Sequence, residues 1–390
     1  MKTTNKSLHD IFTQPLQEYV CTQDQVAKDL KGLKVVFLVW SLDISGGTNV
    51  ILQHCDFLTK QGATVTIIKF LTQEVKDWHP SLRKIRVIDF ANLNIEESFD
   101  IGVVTWWRSF FEMDKIRARS WAYLVQSLES RFYLGTTPQH SPLVDSTYDM
   151  EMPVITISRW LQTYLAFTHG RPSFLVKNGI DKSVFSLIGE KLLKRDEKKI
   201  RFLVEGPLNV DFKQTELALE VLQQFRDRIE IWLLTSSHVK SSEKADKTFS
   251  QVPISSVGSI MRSCDVLLKL SLVEGMFGPP LEMFHCGGTA ISGRVTGCDE
   301  YMIDDYNSML VEDATNTQEI KTKIEKIIDN PLYLRNLKDA AVSTAALWPN
   351  WEKSSFEFAT ILLLIYRNHK KSSMSHFVET KAKLKILEEG

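Results

Sequence analysis

Two glutamates eight positions apart, Glu274 and Glu282, frame the segment Glu274-Gly275-Met276-Phe277-Gly278-Pro279-Pro280-Leu281-Glu282, which continues through His285-Cys286 into Gly287-Gly288. A carboxylate that accepts from two vicinal hydroxyls can hold a ribose, and a second carboxylate nearby can touch a sugar. Pro280 suits the first position of a helix and the glycine pair suits a helix end, so the segment predicts strand, loop, short helix, turn and strand. Glu274 then falls on the loop and Glu282 in the first helical turn, at the carboxyl ends of strands, where open α/β sheets bind ligands. The plain alternative makes Glu282 a dipole partner of that turn and Glu274 a solvated loop residue.

A second segment, Val39 to Thr48, places Gly46-Gly47 after an apolar run. With Thr48 as N-cap, a helix with Val50, Ile51, Cys55 and Leu58 on its inner face follows and closes at Gly62. Bare N–H groups at a helix start and the positive dipole end favour an anion such as phosphate. A tight turn that needs glycine for its backbone angles explains the pair equally well.

These residues require elements that hold them. Short runs apolar on both faces recur at Lys34–Trp40, Thr64–Lys69, Ile101–Trp106, Ala122–Gln126, Val154–Ser158 and Phe174–Lys177, as in strands buried within a parallel sheet. The pattern resumes at Arg201–Val204, Glu230–Thr235, Asp265–Leu270, Thr289–Ser292 and Ser308–Val311, which predicts a second α/β unit beyond the polar turn Lys177-Asn178-Gly179-Ile180-Asp181 and the lysine-rich stretch Ser183–Lys199. A chain of 390 residues exceeds the roughly 250 to 300 at which a single core stops growing. Its 43% hydrophobic and 24% charged residues are those of a globular protein.

Composition also excludes. Lysine and arginine total 47 against 48 acidic residues, so bulk charge gives no reason to expect nucleic acid. The longest apolar stretch, near Ala359–Tyr366, is too short to span a bilayer, and the first thirty residues lack the pattern of a signal peptide, so a cytoplasmic location is expected. Five scattered cysteines fit reduced packing residues rather than a disulfide frame or zinc cage. His54, His79, His140, His169, His238 and His285 lack metal-ligand spacing and there is no Asp-x-Asp pair, so neither a metal nor a cofactor is expected. Trp106, Trp107, Phe110 and Phe111 beside Arg108, Lys115, Arg117 and Arg119 suggest either a peripheral contact with the membrane's inner face or core residues flanked by solvated charges.

Taken in order, these segments resemble the retaining family 4 glycosyltransferases of the GT-B fold. The resemblance rests on Glu274 and Glu282 with Gly and Pro between them, on Gly287-Gly288-Thr289-Ala290-Ile291-Ser292, Gly297-Cys298-Asp299-Glu300-Tyr301 and Asp305–Val311, on Lys177-Asn178-Gly179-Ile180-Asp181, and on Gly46-Gly47. It implies two Rossmann-like domains facing a central cleft: an acceptor domain over residues 1–178 with an extension over 1–32, a donor domain over 179–350, a crossover helix over 351–368 returning to the N-terminal domain, and a charged tail over 369–390. It also implies transfer of a sugar, with retention, from a nucleoside-diphosphate sugar to an acceptor hydroxyl. The acceptor would be a glycan, a lipid-linked sugar or a protein, in bacterial polysaccharide or glycoconjugate assembly.

The site that the resemblance implies places Gly46, Gly47, Lys213, Lys269, Glu274, Gly275, Gly278 and Glu282 around the donor, with Glu274 and Lys213 in the catalytic role. The family clamps the diphosphate with an arginine and a lysine; Lys213 matches the lysine, but Gly206-Pro207 stands where the arginine belongs, and Lys269 or Arg294 would replace it. Gln126, Glu129, Phe132 and Tyr133 are similar to an acceptor-side stretch of rhamnosyltransferase-like members, with Ser127 and Ser130 departing from it. The residues alone also allow Tyr123, Val125 and Phe132 to be core and Glu129 to cap a helix. Two rival functions stay open: a sugar-nucleotide epimerase of the same fold, and a non-catalytic relative that partners an active transferase. Oligomeric state is not legible.

Overall fold

In a computed structural model, residues 22–72, 74–75, 77–133, 137–192 and 199–368 are described. Cys21, the charged ending 369–390 and most of the N-terminal extension lie outside them. The described residues form two compact units, one ending at Gly179 and resuming at Trp351, the other spanning Ile180–Asn350.

The N-terminal unit is built on seven parallel strands, β1 (Lys34–Val39), β2 (Thr64–Lys69), β3 (Arg86–Asp89), β4 (Ser98–Val104), β5 (Arg117–Val125), β6 (Val154–Thr156) and β7 (Phe174–Leu175), in the order β3-β2-β1-β4-β5-β6-β7. Its longer helices are α1 (Gln23–Leu30), α2 (Gly46–Lys60), α3 (Ser141–Tyr148) and α4 (Arg159–His169). Val35 to Val39 of β1 are all buried because helices cover both faces of the sheet, which is why the strand reads as one apolar run rather than an alternation.

The C-terminal unit repeats the plan with β8 (Ile200–Glu205), β9 (Ile229–Thr235), β10 (Lys247–Ser250), β11 (Val266–Lys269), β12 (Thr289–Gly293) and β13 (Met309–Val311), ordered β10-β9-β8-β11-β12-β13 and all parallel. Helices α5 (Thr215–Leu222), α6 (Ile254–Arg262), α7 (Gly278–His285), α8 (Thr317–Asp329) and α9 (Pro331–Ala346) accompany it. One core joins Phe202, Val204, Ile231, Leu233, Leu268 and Ile291 of the sheet to Leu219 and Leu222 of α5 and Ile320 and Ile324 of α8.

The last helix among the described residues, α10 (Trp351–Arg367), belongs to the N-terminal unit. Phe358 stacks on His54 of α2 with ring centroids 4.1 Å apart, and His54 Nδ1 lies 2.9 Å from Ser355 Oγ. Burial pushes His54 down to a pKa of about 3, so it is a neutral packing residue. Phe358 and Leu362 are fully buried, each such side chain contributing about 1.5–3 kcal/mol of transfer free energy.

Three readings of the sequence need correction. The N-cap of α2 is Ser45, whose Oγ accepts from Thr48 N at 3.1 Å, so Gly46 and Gly47 open the helix instead of preceding it. Similarly α7 starts at Gly278, which moves Pro280 to the third position and Glu282 to the fifth, past the first turn. The strands β3 and β10 escaped notice because each sits at a sheet edge, is only partly buried and carries polar residues.

Candidate functional site

The C-terminal sheet reverses its strand order between β8 and β11, which makes the carboxyl ends of these two strands its topological switch point. Glu205 is the last residue of β8 and Lys269 the last of β11, and the register with Leu268 opposite Val204 sets them side by side. Lys269 Nζ donates to Glu205 Oε2 at 2.5 Å and to the Glu205 carbonyl at 3.1 Å, with only 4% of its side chain exposed.

Past these strand ends, two loops are tied together. The loop from β8 forms a short turn, Asp211–Lys213, and Leu272 N donates to the Phe212 carbonyl at 2.8 Å, linking it to the loop from β11. This brings Lys213 Nζ within 2.7 Å of Glu274 Oε1. A third loop joins through Thr296 Oγ1, which donates to the Glu274 carbonyl at 2.9 Å, and Tyr301 Oη donates to the Phe277 carbonyl just before α7. Gly275 is half-buried on this loop, and a side chain built at Gly278 would meet nothing within 4 Å, so the start of α7 is open.

The electrostatics follow from three carboxyl groups and two ammonium groups sharing this corner. Burial works against charge on Glu274, but Lys213 and Lys269 outweigh it and hold its pKa below the ordinary value. Glu282 is dominated by burial, reinforced by Glu205 and opposed by Lys269, and is pushed up to about 8. Lys269 is also opposed by burial, yet Glu205, Glu274 and Glu282 outweigh that and raise it. The corner therefore presents two ammonium groups and three carboxyl groups, of which Glu274 is held ionised by the lysines and Glu282 is pushed up to about 8.

Beside it, Gly206 has φ +152°, and a Cβ there would stand 2.6 Å from Thr215 Oγ1 and 3.8 Å from Lys269 Nζ. The Thr215 hydroxyl is buried and makes no hydrogen bond in this structure. Glu205 and Thr215 are the site residues that sequence reading missed. The signal for Glu205 was a charge closing an otherwise apolar run, Arg201-Phe202-Leu203-Val204-Glu205. Arg294 does not join the group: its Nε donates to Glu312 Oε1 at 2.8 Å in a largely exposed pair.

In the N-terminal unit, the start of α2 meets Gln126, since a Cβ on Gly47 would lie 3.6 Å from both Gln126 Nε2 and Oε1. The buried Gln126 Oε1 makes no hydrogen bond in this structure. Glu129 turns inward instead: it is 2% exposed, accepts from Trp107 N at 2.9 Å, and is pushed up to about 8 by burial. It thus caps the helical turn Trp107–Phe110, the structural alternative that the sequence left open. The aromatic cluster resolves the same way. Trp107, Phe110 and Phe111 are core residues and Arg108 lies over the Trp107 ring, as in the alternative of core residues flanked by charges. Among the described residues, no helix is long and apolar enough to cross a membrane, and no group of three His, Cys, Asp or Glu is placed to hold a metal.

Residues 236–344 match the family model described as glycosyl transferases group 1. This stretch contains Lys269, Glu274 and Glu282. The chain has a GT-B fold, and its residues 236–344 are similar to group 1 glycosyl transferases. Solved structures similar to this GT-B chain include sucrose-phosphate synthase from Thermosynechococcus elongatus, with a TM-score of 0.69, 14% identity, and coverage of 86% of this chain and all of that one. Anabaena Alr3699/HepE in complex with UDP-glucose gives a TM-score of 0.69 at 14% identity over 85% of this chain and 99% of that one. The lipopolysaccharide glycosyltransferase WaaG gives 0.66 at 12% over 84% and 99%. In sequence, an uncharacterized glycosyltransferase of Methanocaldococcus jannaschii is 24% identical over 208 residues, 51% of this chain and 56% of that protein; the match thus spans just over half the length of that relative.

Proposed function

We propose that the protein is a retaining glycosyltransferase that moves a hexosyl group from a nucleoside-diphosphate sugar to an acceptor hydroxyl in glycan or glycoconjugate assembly, from a cytoplasmic location. The observation that carries this reading is the convergence of Lys213, Glu274, Lys269 and Glu282 at the switch point of the C-terminal sheet.

In this reading Glu282 accepts from the ribose hydroxyls, and Glu274 accepts from hydroxyls of the transferred sugar. When the anomeric bond breaks, negative charge accumulates on the departing diphosphate, and cations fixed beforehand at that position lower the barrier without reorganising. Lys213 and Lys269 supply them. Donor entry exchanges the Lys213 contact with Glu274 for one with phosphate, which frees the Glu274 oxygens for the sugar. Lys269 takes the place of the clamp arginine absent at Gly206-Pro207. The reading needs no metal ion. UDP-glucose, bound by the Anabaena neighbour, is the first donor to test.

Calorimetry with UDP-glucose, GDP-mannose and their nucleoside diphosphates tests the reading: one pair binds, and Glu282→Ala weakens that binding. Affinity unchanged in the variant removes the ribose assignment. Incubating the bound donor without acceptor separates transfer from epimerisation, since a transferase leaves the sugar configuration intact and gives only slow hydrolysis.

A further inference from the structure

The buried partner of Lys269 is Glu205, a residue outside the donor set implied by the sequence. Lys269 is almost wholly enclosed and receives two contacts from the same residue, the Glu205 carboxylate and its own carbonyl. An ammonium so placed loses most of its hydration, and the neutral amine becomes preferred unless a fixed negative charge opposes that. Four titratable groups bear on it: Glu205 from β8, Glu274 from the following loop, Glu282 from α7, and Lys213 acting through Glu274. Glu274 is already engaged by Lys213, and Glu282 favours its neutral form at neutral pH. The Glu205 carboxylate alone among the three makes a direct contact with Lys269.

Gly206 and Thr215 also lie beside the ammonium. Gly206 leaves out the side chain that would stand 3.8 Å from Lys269 Nζ, and the buried Thr215 hydroxyl borders the same space without a protein partner. We propose that Glu205 is a positioning residue which keeps Lys269 charged and aimed past Gly206 at the donor diphosphate, without touching the donor itself. This rests on the reading of Lys269 as the second phosphate cation.

The test is calorimetry on the full chain with UDP, GDP and ADP and with the corresponding nucleosides, at about pH 6.5 and about pH 8.5, for the wild type, Glu205→Gln and Glu205→Asp. For the diphosphate that binds the wild type, Glu205→Gln should cost about tenfold in affinity at the higher pH and much less at the lower, because a buried lysine without its counter-ion loses its proton in this range. Nucleoside binding should not weaken, since loss of the Glu205 charge also eases ionisation of Glu282, and Glu205→Asp, which keeps the charge on a shorter arm, should lose diphosphate affinity at the higher pH but less than Glu205→Gln. Equal losses at both pH values, or equal losses for nucleoside and diphosphate, would show a merely structural role and overturn the proposal, as would unchanged affinity. If Glu205→Gln fails to fold, Glu205→Asp still decides: its shortened reach should give a smaller loss confined to the diphosphate at high pH, and its absence overturns the proposal. A wild type that binds none of the three diphosphates would overturn the donor reading itself, a result distinct from any difference among variants.

Discussion

Lys213 Nζ and Glu274 Oε1 lie 2.7 Å apart and join loops that leave two neighbouring parallel strands, β8 and β11. The side chains are 20% and 13% exposed, so neither is well compensated by water if the other is lost. Lys213→Met should lower stability by about 2 kcal/mol, less than the cost of breaking a fully buried pair, and should abolish turnover. The double change Lys213→Met with Glu274→Gln should recover most of the stability and none of the activity. Because the folded pKa of Glu274 is depressed, the stability it contributes is fully present above the unfolded value of about 4.3 and is lost as pH falls through the lower folded value. Melting temperatures between about pH 3 and 7 should therefore fall more steeply towards acid in the wild type than in Lys213→Met.

Glu282 titrates near pH 8 and is largely protonated at neutral pH. If it binds ribose as a carboxylate, donor binding at pH 7 must release up to one proton. Calorimetry in buffers of different ionisation enthalpy should show that release, and affinity should rise from pH 6 to 8. For stability the sign is opposite: a carboxyl whose folded pKa is raised favours the folded state below its unfolded value of about 4.3, and that contribution is lost as pH rises towards 8.

Gly206→Ala combines a φ of +152°, which L side chains rarely adopt, with a Cβ 2.6 Å from Thr215 Oγ1. Strain of this kind costs roughly 1–3 kcal/mol. Thermal denaturation should show the loss, and nucleoside-diphosphate affinity should fall with it because Lys269 and Thr215 border the same space.

Arg294 was the rival for the missing cation. Its pair with Glu312 is 40% and 70% exposed, a class of ion pair that contributes about 0–1 kcal/mol. Arg294→Ala should leave the melting temperature and nucleoside-diphosphate affinity close to wild type, whereas Lys269→Met should reduce affinity. A large loss in Arg294→Ala would reassign the phosphate cation.

Strands buried on both faces were legible because Val35–Val39 or Leu267–Leu268 have no polar side to present. Glu274 and Glu282 were legible as a spacing among glycines and prolines. Helix starts were misplaced by a few residues because Ser45 and Thr48 are both good caps and Pro280 is tolerated beyond the first position. The Glu205–Lys269 pair lies 64 positions apart in sequence and meets only through parallel pairing of β8 with β11, a register that local spacing does not encode. Glu129 shows the converse: its surroundings, not its motif, turned it into the core.

The most direct test of the account is calorimetric titration of the wild type and Glu274→Gln with Glu282→Ala by UDP-glucose, GDP-mannose, UDP and GDP. The account predicts that one nucleoside diphosphate and its sugar bind the wild type, and that the double variant, still folded by its melting curve, loses at least about tenfold in affinity for both. Failure of every nucleotide to bind the wild type, or equal affinity in the folded double variant, would contradict it.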